Sequence, residues 1–317
     1  MAASFEKTTP VVLILEDEIT LKGLGRTPLK PTGVLDVFES FDVTPVIGRE
    51  FPNASLKDFL SAPNSDDLLL SQRGVVFFRK QDGLDDNLQK ELVQRLGELS
   101  GKPETSGLHI HPVVNSGREH SVTDDEISVV SSQQRQMLYP DRNSRRQTAR
   151  HEWHSDIAFE AIPSDYTLLR MTELPKTGGV TLPRGTALKS TLVLAVPPVI
   201  RTNPVTGWKS VFAVGNLVQK INGVTDEESA HLLNWFVSLI IENHDLQVRH
   251  RWQNPNDLAI WDNRSVYHAA TWDHEDLGPR TGHRAVGLGE RPYLDPNSTL
   301  AVARHWPGIH RDRDVFP

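Results

Sequence analysis

The chain has 317 residues, of which 38% are hydrophobic and 24% are charged, and its formal net charge is −7 with a sequence pI of about 6.0. This balance is typical of a soluble globular protein, and the acidic charge argues against a nucleic-acid partner. The absence of cysteine excludes disulfides, cysteine-ligated zinc and iron–sulfur clusters. Residues 1–7 lack the features of a signal peptide, and the apolar run 11–15 is too short to span a bilayer, so we expect a cytoplasmic protein with no membrane partner.

The first clear elements along the chain are a strand and a helix. Residues 74–78 form a continuous apolar run, which is typical of a strand buried on both faces. Asp86 with Gln89 three residues later resembles a capping box, and three leucines at a spacing of four residues follow it on one helical face. We expect this helix to end at Gly97 or Gly101.

The second half of the chain contains one more helix among short strands. Thr225 and Glu228 predict a capping box, and the apolar residues after it, Leu239 among them, are expected to face the core. Strands are predicted at residues 166–171, 211–214, 247–252, 258–261 and 284–288. Short strands, two helices and many turns favour a β-rich α+β fold with a sandwich or barrel core.

The segment around His154 and Asp156 is the first chemical signal. In a strand, residues i and i+2 point to the same face, so an imidazole and a carboxylate could bind one metal ion. A second histidine from elsewhere would complete a facial triad of two histidines and one carboxylate, which suits ferrous iron. Because the chain has 13 histidines, such pairs also arise by chance, as they do at residues 274–276 and 310–312.

Other metal sites are less compatible with the spacing. His151 and His154 are three residues apart, whereas the zinc-protease motif requires four, so a zinc hydrolase is a distant alternative. His109 and His111 could share one face of a strand and bind zinc or manganese. The alternative for this second pair is one structural histidine and one that lines a pocket.

Seven stretches in the same order resemble the taurine dioxygenase / 2,4-dichlorophenoxyacetate dioxygenase family, especially its fungal sulfonate-dioxygenase members. The stretches are residues 74–79 (GVVFFR), 108–112 (LHIHP), 153–156 (WHSD), 178–182 (GGVTL), 200–204 (IRTNP), 261–264 (WDNR) with His268, and 280–284 (RTGHR). This resemblance implies a double-stranded β-helix core, a cupin-like jelly roll, with flanking helices. It also implies Fe(II), 2-oxoglutarate and O2 as the reactants of an oxygenase.

Matched position by position, the resemblance implies roles for individual residues. His154, Asp156 and His268 correspond to the iron ligands of the family. Arg280 and Thr181 correspond to the residues that bind the distal carboxylate of 2-oxoglutarate, a role for which the two parallel donors of a guanidinium are well suited.

The resemblance also implies a binding site for a small anionic substrate. Arg284 corresponds to the arginine that binds the anionic group, and a surface ion pair is the alternative role for an arginine at this position. His111 corresponds to a second donor, and the backbone N–H of Ile157 to a third. The implied reaction on an alkyl sulfonate such as taurine gives an aldehyde, sulfite, succinate and CO2.

The chain departs from the family pattern in the middle. We expect an N-terminal extension (1–73) that packs on the core, a dioxygenase domain (74–292) and a C-terminal tail (293–317). Within the domain, the insert near 182–200 is much shorter than in family members, where it helps to cover the site. Its loss leaves open a non-sulfonate substrate, such as an aryloxy acid, an alkyl sulfate or a biosynthetic intermediate, or a homologue with little activity. Homo-oligomerisation is also left open.

Overall fold

The structure is a computed structural model, and it describes most of the chain between residues 33 and 299. The described residues are 12–13, 28–29, 33–59, 73–111, 124–133, 150, 152–177, 195–215, 217–271, 273–274 and 277–299. Thr181 and residues 182–194 of the insert lie outside these ranges.

A seven-stranded mixed sheet forms the centre of the molecule. The strands among the described residues are β1 (Val12–Leu13), β2 (Phe41–Asp42), β3 (Arg49–Phe51), β4 (Val75–Phe78), β5 (Ile127–Ser131), β6 (Ser164–Glu173), β7 (Ile200–Thr202), β8 (Lys209–Val211), β9 (Lys220–Ile221), β10 (Leu258–Asp262) and β11 (Thr281–Leu288). The large sheet has the order β2-β3-β4-β10-β6-β11-β5, and only β3 and β4 run parallel. Two small sheets pair β1 with β9 and β7 with β8. The expected β-rich fold is therefore confirmed.

Three α-helices accompany the strands in the described ranges. They are α1 (Leu56–Phe59), α2 (Asp86–Leu99) and α3 (Asp226–Ile241), with 3-10 turns at Val34–Val37 and His244–Leu246. None of the described helices has both the length and the apolar composition that crossing a bilayer requires.

The central strand β6 is buried on both faces of the sheet. Leu168 belongs to the apolar cluster beneath α2, whereas Leu169 and Met171 belong to a second cluster on the opposite face, which also contains Trp261. This division follows from the period of two residues along a strand. Each fully buried leucine stabilises the fold by roughly 1.5–3 kcal/mol. The second face is the one that carries the candidate site described below.

Helix α2 begins one residue earlier than its capping prediction. Asp85, not Asp86, is the N-cap, and its carboxylate accepts a hydrogen bond of 2.8 Å from the backbone N–H of Leu88. Gln89 is fully buried and donates to two backbone carbonyls of the sheet instead of capping the helix. Asp85 and Asp86 could each cap the helix. The hydrogen bonds from Gln89 to the sheet favour the register in which Asp85 is the cap. Gly101, with φ of +78°, follows the helix end as expected.

Helix α3 has the predicted capping box. The Thr225 hydroxyl accepts from the Glu228 N–H, and the Glu228 carboxylate accepts from the Thr225 N–H. Leu239 was expected in the core, but it is 37% exposed because it lies at the edge of the buried stripe of α3. The strand predicted at 211–214 is wrong beyond its first residue, because β8 is Lys209–Val211 and residues 212–214 are not in a strand.

The strand predicted at residues 247–252 is wrong. The alternation that suggested it is real, since His250 and Trp252 are buried between exposed neighbours. The His250 ring stacks on Phe77 with centroids 3.8 Å apart. This extended segment packs one side against the sheet without joining its hydrogen-bond ladder, and sequence alternation does not distinguish these two cases.

Candidate metal centre

His154 and His268 are brought together by a backbone bridge. The N–H of each residue donates to the carbonyl oxygen of the other, at 3.0 Å in both directions, in an isolated antiparallel pair. The two imidazole ring centroids are 4.3 Å apart as a result. Two residues that are more than 100 positions apart in the sequence are thus held side by side on the sheet face that carries Trp261.

Asp156 completes a cluster of three potential ligands. Its Oδ1 lies 3.7 Å from Nε2 of His268, and the three candidate ligand atoms all lie within 4.8 Å of one another. In this segment His154 forms the β-bridge, whereas Asp156 belongs to the turn that follows. The predicted pairing of positions i and i+2 therefore places both side chains together even though the segment is not a regular strand.

The orientation of each ring leaves nitrogen atoms directed toward this cluster. Nδ1 of His154 donates a 2.6 Å hydrogen bond to the carbonyl of Glu152, which leaves Nε2 as the candidate ligand atom. Within the described part of the chain, neither ring nitrogen of His268 has a hydrogen-bond partner. A buried imidazole without a partner is uncommon, and a metal ion would satisfy it.

The protonation states of the cluster also suit a metal ion. Burial, and then the neighbouring His268, lowers the pKa of His154 to about 4, so its ring is neutral at pH 7. Burial alone would raise the pKa of Asp156, but Arg284 and His268 beside it lower that pKa below its ordinary value. Neutral imidazoles and an ionised carboxylate are the forms that bind divalent metals, and this donor set fits ferrous iron.

Arg284 is in direct contact with the cluster. Its Nη1 donates a 2.9 Å hydrogen bond to Oδ1 of Asp156. In the residues that the structure describes, Nε of Arg284 is buried with no hydrogen-bond partner. Burial, together with the charge of Arg284, lowers the pKa of the nearby His111 to about 4. The predicted substrate residues Arg284 and His111 thus adjoin the metal cluster. Arg284 carries a positive charge, and His111 is neutral at pH 7.

The backbone of Ile157 has an unusual conformation. Its φ of +46° lies in the left-handed region, where a β-branched residue is rarely found. Such a residue costs on the order of 1–3 kcal/mol and is maintained only where its surroundings require it. It follows Asp156 directly and begins a turn in which Glu160 donates to its carbonyl.

Arg280 lies on the same sheet face as the metal cluster, directly before β11. Its backbone is held by Ser132, which accepts from the Arg280 N–H and donates to its carbonyl. The guanidinium is buried, and its Nη2 lies 3.5 Å from the sulfur of Met171. Burial lowers the pKa of Arg280 to about 9, so the side chain remains charged at pH 7. A buried guanidinium is a suitable partner for a carboxylate.

Thr167 and Asn263 are two residues of the site to which sequence reasoning assigned no role. The Thr167 hydroxyl donates to Oδ2 of Asp156 at 2.9 Å, and the side-chain oxygen of Asn263 accepts from the Asp156 N–H at 3.1 Å. The available signals were a threonine inside a predicted strand and an asparagine inside the stretch 261–264 that matched the family. The first signal was weak because a buried threonine in a strand is common.

A comparison with known protein families shows to which family the chain belongs. The model of the family described as "Taurine catabolism dioxygenase TauD, TfdA family" matches residues 39–182 and 194–286. The chain belongs to the TauD/TfdA family. It is therefore an alpha-ketoglutarate-dependent dioxygenase that uses Fe(II), 2-oxoglutarate and O2.

Individual TauD/TfdA relatives agree with this assignment. The chain is 47% identical to the alpha-ketoglutarate-dependent dioxygenase btcD of Neocamarosporium betae, over 87% of this chain and 98% of that protein. It is 29% identical to an alpha-ketoglutarate-dependent sulfonate dioxygenase of Saccharomyces cerevisiae, over 80% of this chain and 67% of the relative. The solved structure of a taurine dioxygenase from Burkholderia xenovorans shares the fold, with a TM-score of 0.61 and 21% identity over 82% of this chain and 93% of that one.

The family match is interrupted in the middle of the chain. The model leaves out residues 183–193, within the insert for which a shortening was predicted. The alignment to btcD extends over 335 positions, more than the 317 residues of this whole chain, although it covers only 87% of it. The relative therefore contains residues that have no counterpart here. The shortening of the insert near 182–200 stays a prediction.

Proposed function

We propose that His154, Asp156 and His268 hold the ferrous ion and that the enzyme oxidises a small anionic substrate, with an alkyl sulfonate such as taurine as the first candidate. The observation that supports this proposal is the cluster of three ligand atoms within 4.8 Å, with Arg284 in contact with one of them. When bound, the iron with 2-oxoglutarate and O2 supplies the oxidising chemistry, in which the co-substrate becomes succinate and CO2.

Arg280 and Thr181 are proposed to bind the distal carboxylate of 2-oxoglutarate. The Arg280 guanidinium can form two parallel charge-assisted hydrogen bonds with a carboxylate, which fixes both position and orientation. The carboxylate would also offset the burial that lowers the pKa of this arginine to about 9. Met171, which contacts Nη2 of Arg280, forms an apolar wall that excludes water from this pair.

Arg284 is proposed to bind the anionic group of the substrate. Its Nη1 is committed to Asp156, whereas its Nε, with no partner among the described residues, remains available for an anion. His111 is neutral at pH 7 because its pKa is lowered to about 4, so it contributes a hydrogen bond and no charge. The Ile157 N–H is proposed as a further donor. This arrangement favours a compact anion whose reacting carbon lies next to the anionic group.

A non-sulfonate substrate is the second candidate function. The sulfonate name belongs to a relative at 29% identity, whereas the relative at 47% identity is named only for its co-substrate. An aryloxy acid, an alkyl sulfate or a biosynthetic intermediate would present the same kind of anion to Arg284. The interruption of the family match at 183–193 also favours a variant of low activity, since the longer insert expected of family members at this place helps to cover the site.

The experiment that tests the function measures two products in parallel. The protein is incubated with Fe(II), 2-oxoglutarate and O2 and with a panel of taurine, other alkyl sulfonates, alkyl sulfates and aryloxy acids. Equal amounts of succinate and sulfite with a sulfonate support the first candidate. Succinate without sulfite, and only with another substrate, supports the second. Substrate-stimulated succinate that survives unchanged in His268→Ala would contradict the ligand assignment.

Further expectations from the sequence, on fold closure, domain bounds, location and assembly, are also proposals. We propose that the sheet closes with the segments around the metal cluster into a double-stranded β-helix. The division at residues 73 and 292 is likewise proposed, although β2 and β3 already add two strands from 41–51 to the central sheet and the family match begins at residue 39. A cytoplasmic location and homo-oligomerisation are proposed as well.

A further inference from the structure

The carboxylate of Asp156 has two oxygen atoms in different surroundings. Oδ1 faces Nε2 of His268 at 3.7 Å and accepts from Arg284. Oδ2 accepts the 2.9 Å hydrogen bond from the hydroxyl of Thr167, a fully buried residue at the centre of β6. A carboxylate can bind a metal through one or both oxygens. The surroundings of Oδ2 therefore bear on how Asp156 binds the ion.

The direction of the Thr167 hydrogen bond is determined by Asn263. A threonine hydroxyl has a single hydrogen, and Nδ2 of Asn263, 2.8 Å away, can only donate to Oγ1. Thr167 therefore accepts from Asn263, and its own hydrogen goes to the ionised Asp156 carboxylate at 2.9 Å, which can only accept and is closer than Oγ of Ser164 at 3.4 Å. The Asn263 amide is oriented in turn by Trp261, whose indole N–H donates to Oδ1 of Asn263 at 3.1 Å. An indole nitrogen is only a donor, so the amide cannot be reversed.

The remaining hydrogen-bonding groups of Asn263 are also used. Its Oδ1 accepts from the Asp156 N–H at 3.1 Å, and its Nδ2 donates to Oγ of Ser164 at 2.8 Å. Its backbone carbonyl accepts from the hydroxyl of Ser155, which lies between two ligands. Asn263 itself lies just after β10, five residues before His268. One buried residue thus joins the segment that carries His268 to the segment that carries Asp156.

We propose that Thr167 and Asn263 are positioning residues that hold Asp156 so that only Oδ1 is offered to the metal ion. This inference rests on the proposed ligand set. A hydroxyl that occupies Oδ2 in a buried site stabilises the ionised carboxylate and opposes its rotation. Binding through a single oxygen keeps coordination positions available for the two donor atoms of 2-oxoglutarate and for O2.

The test is the affinity for Mn(II), measured from the signal of the free ion in electron paramagnetic resonance, without 2-oxoglutarate and without turnover. Thr167→Val keeps the shape of the side chain and removes the donor, and we expect it to weaken Mn(II) binding about 10- to 100-fold, as for other groups that orient metal ligands. Thr167→Ser retains the hydroxyl and is expected to restore the affinity of the unsubstituted protein.

Thr202→Val is the matched control for the loss of a buried threonine hydroxyl. Thr202 is also buried, donates to Ser298 and accepts from the Asp295 N–H, but it lies on β7, away from the cluster. We expect Thr202→Val to lower thermal stability and to leave Mn(II) affinity unchanged. An equal loss of affinity in both valine variants would show that Thr167 acts only through general stability and would overturn the proposal.

Asn263→Asp gives a second route to the same conclusion. The substitution replaces the donor that faces Thr167 with an acceptor, so the hydroxyl turns away from Asp156, and we expect weakened Mn(II) binding in protein that remains folded by circular dichroism. Should it fail to fold, the Thr167 variants decide the matter.

Asp156→Ala separates the proposed ligand set from the proposed positioning role. If it binds Mn(II) normally, the ligand set is wrong. If it does not bind and Thr167→Val binds normally, only the positioning role is wrong.

Discussion

Two buried arginine–aspartate pairs in this molecule have opposite surroundings. Arg79 makes a bidentate contact with Glu50, and its Nη1 donates both to Asp257 and to the carbonyl of Arg251, so each guanidinium nitrogen is used. Arg284 makes one hydrogen bond with Asp156, and its buried Nε has no partner within the described ranges.

The comparison separates a structural ion pair from a functional one. A buried charge that is fully paired holds elements together, as Arg79 does between β4 and the turn before β10. A buried donor without a partner costs free energy, and it persists where a ligand supplies the missing partner. By this criterion the Arg284 guanidinium has a donor left for a ligand and the Arg79 guanidinium does not, which agrees with the proposed substrate site.

Acid pH should produce the largest change in stability, and His250 in the structural region should contribute to it. Burial, and then the charge of Arg79, lowers the pKa of His250 from 6.5 to about 3. The unfolded chain therefore binds more protons than the folded chain between these values, so stability is fully present above about 6.5 and falls as the pH decreases toward 3. Urea unfolding of the metal-free protein at several pH values measures this slope. His250→Phe, which keeps the stacking on Phe77, should flatten it, and an unchanged slope would contradict the role of His250.

Arg79→Met should cause the next largest effect, on stability alone. It leaves Glu50 and Asp257 buried without their partner, and the removal of one member of such a network costs about 3–5 kcal/mol. Chemical unfolding gives the loss, and Mn(II) affinity at low temperature serves as the control. The comparison fails if Arg79→Met weakens metal binding in protein that is still folded.

Arg280→Met should affect the co-substrate and leave the metal site intact. A hydrogen bond to a charged group contributes about 1.5–3 kcal/mol, which corresponds to a roughly 10- to 100-fold weaker binding of 2-oxoglutarate. Equilibrium binding of 2-oxoglutarate to the Mn(II)-loaded protein measures the change. Unaltered 2-oxoglutarate affinity would remove Arg280 from the proposed site.

Gly215→Ala should have the smallest effect. Gly215 has φ of +115°, and an added Cβ would lie 3.0 Å from the carbonyl of Trp153 and 3.2 Å from Cα of His154. We expect a loss of about 1–2 kcal/mol from the strained backbone and a weaker Mn(II) affinity because His154 is displaced. Gly207→Ala, also at positive φ but in contact with Pro28, is the control that should lose stability without a loss of affinity.

Much of the central sheet could be predicted from local patterns. The apolar runs of β4, β6 and β10 and the capping box of α3 are encoded within a few residues, so they were found. The parallel pairing of the three-residue strand β3 with β4 was not predicted, because so short a strand forms only through its neighbour. The segment 247–252 was misassigned for the related reason that alternation reports burial and not pairing.

The candidate site was predicted in part. The spacing of His154 and Asp156 and the family resemblance identified the cluster, since both are properties of the sequence. The contacts of Thr167 and Asn263 were not predicted, because they depend on how β6 and the turn after β10 meet in three dimensions. The contact between Arg284 and Asp156 likewise depends on the register of β11 against β6.

The most direct test of the central claim is an anaerobic titration of the metal-free protein with Fe(II) in the presence of 2-oxoglutarate. The visible absorption band of a ferrous keto-acid complex reports binding. We expect a saturable band in the unsubstituted protein and none in His268→Ala, whose imidazole nitrogens have no other partner among the described residues. An undiminished band in His268→Ala would show that the iron binds elsewhere.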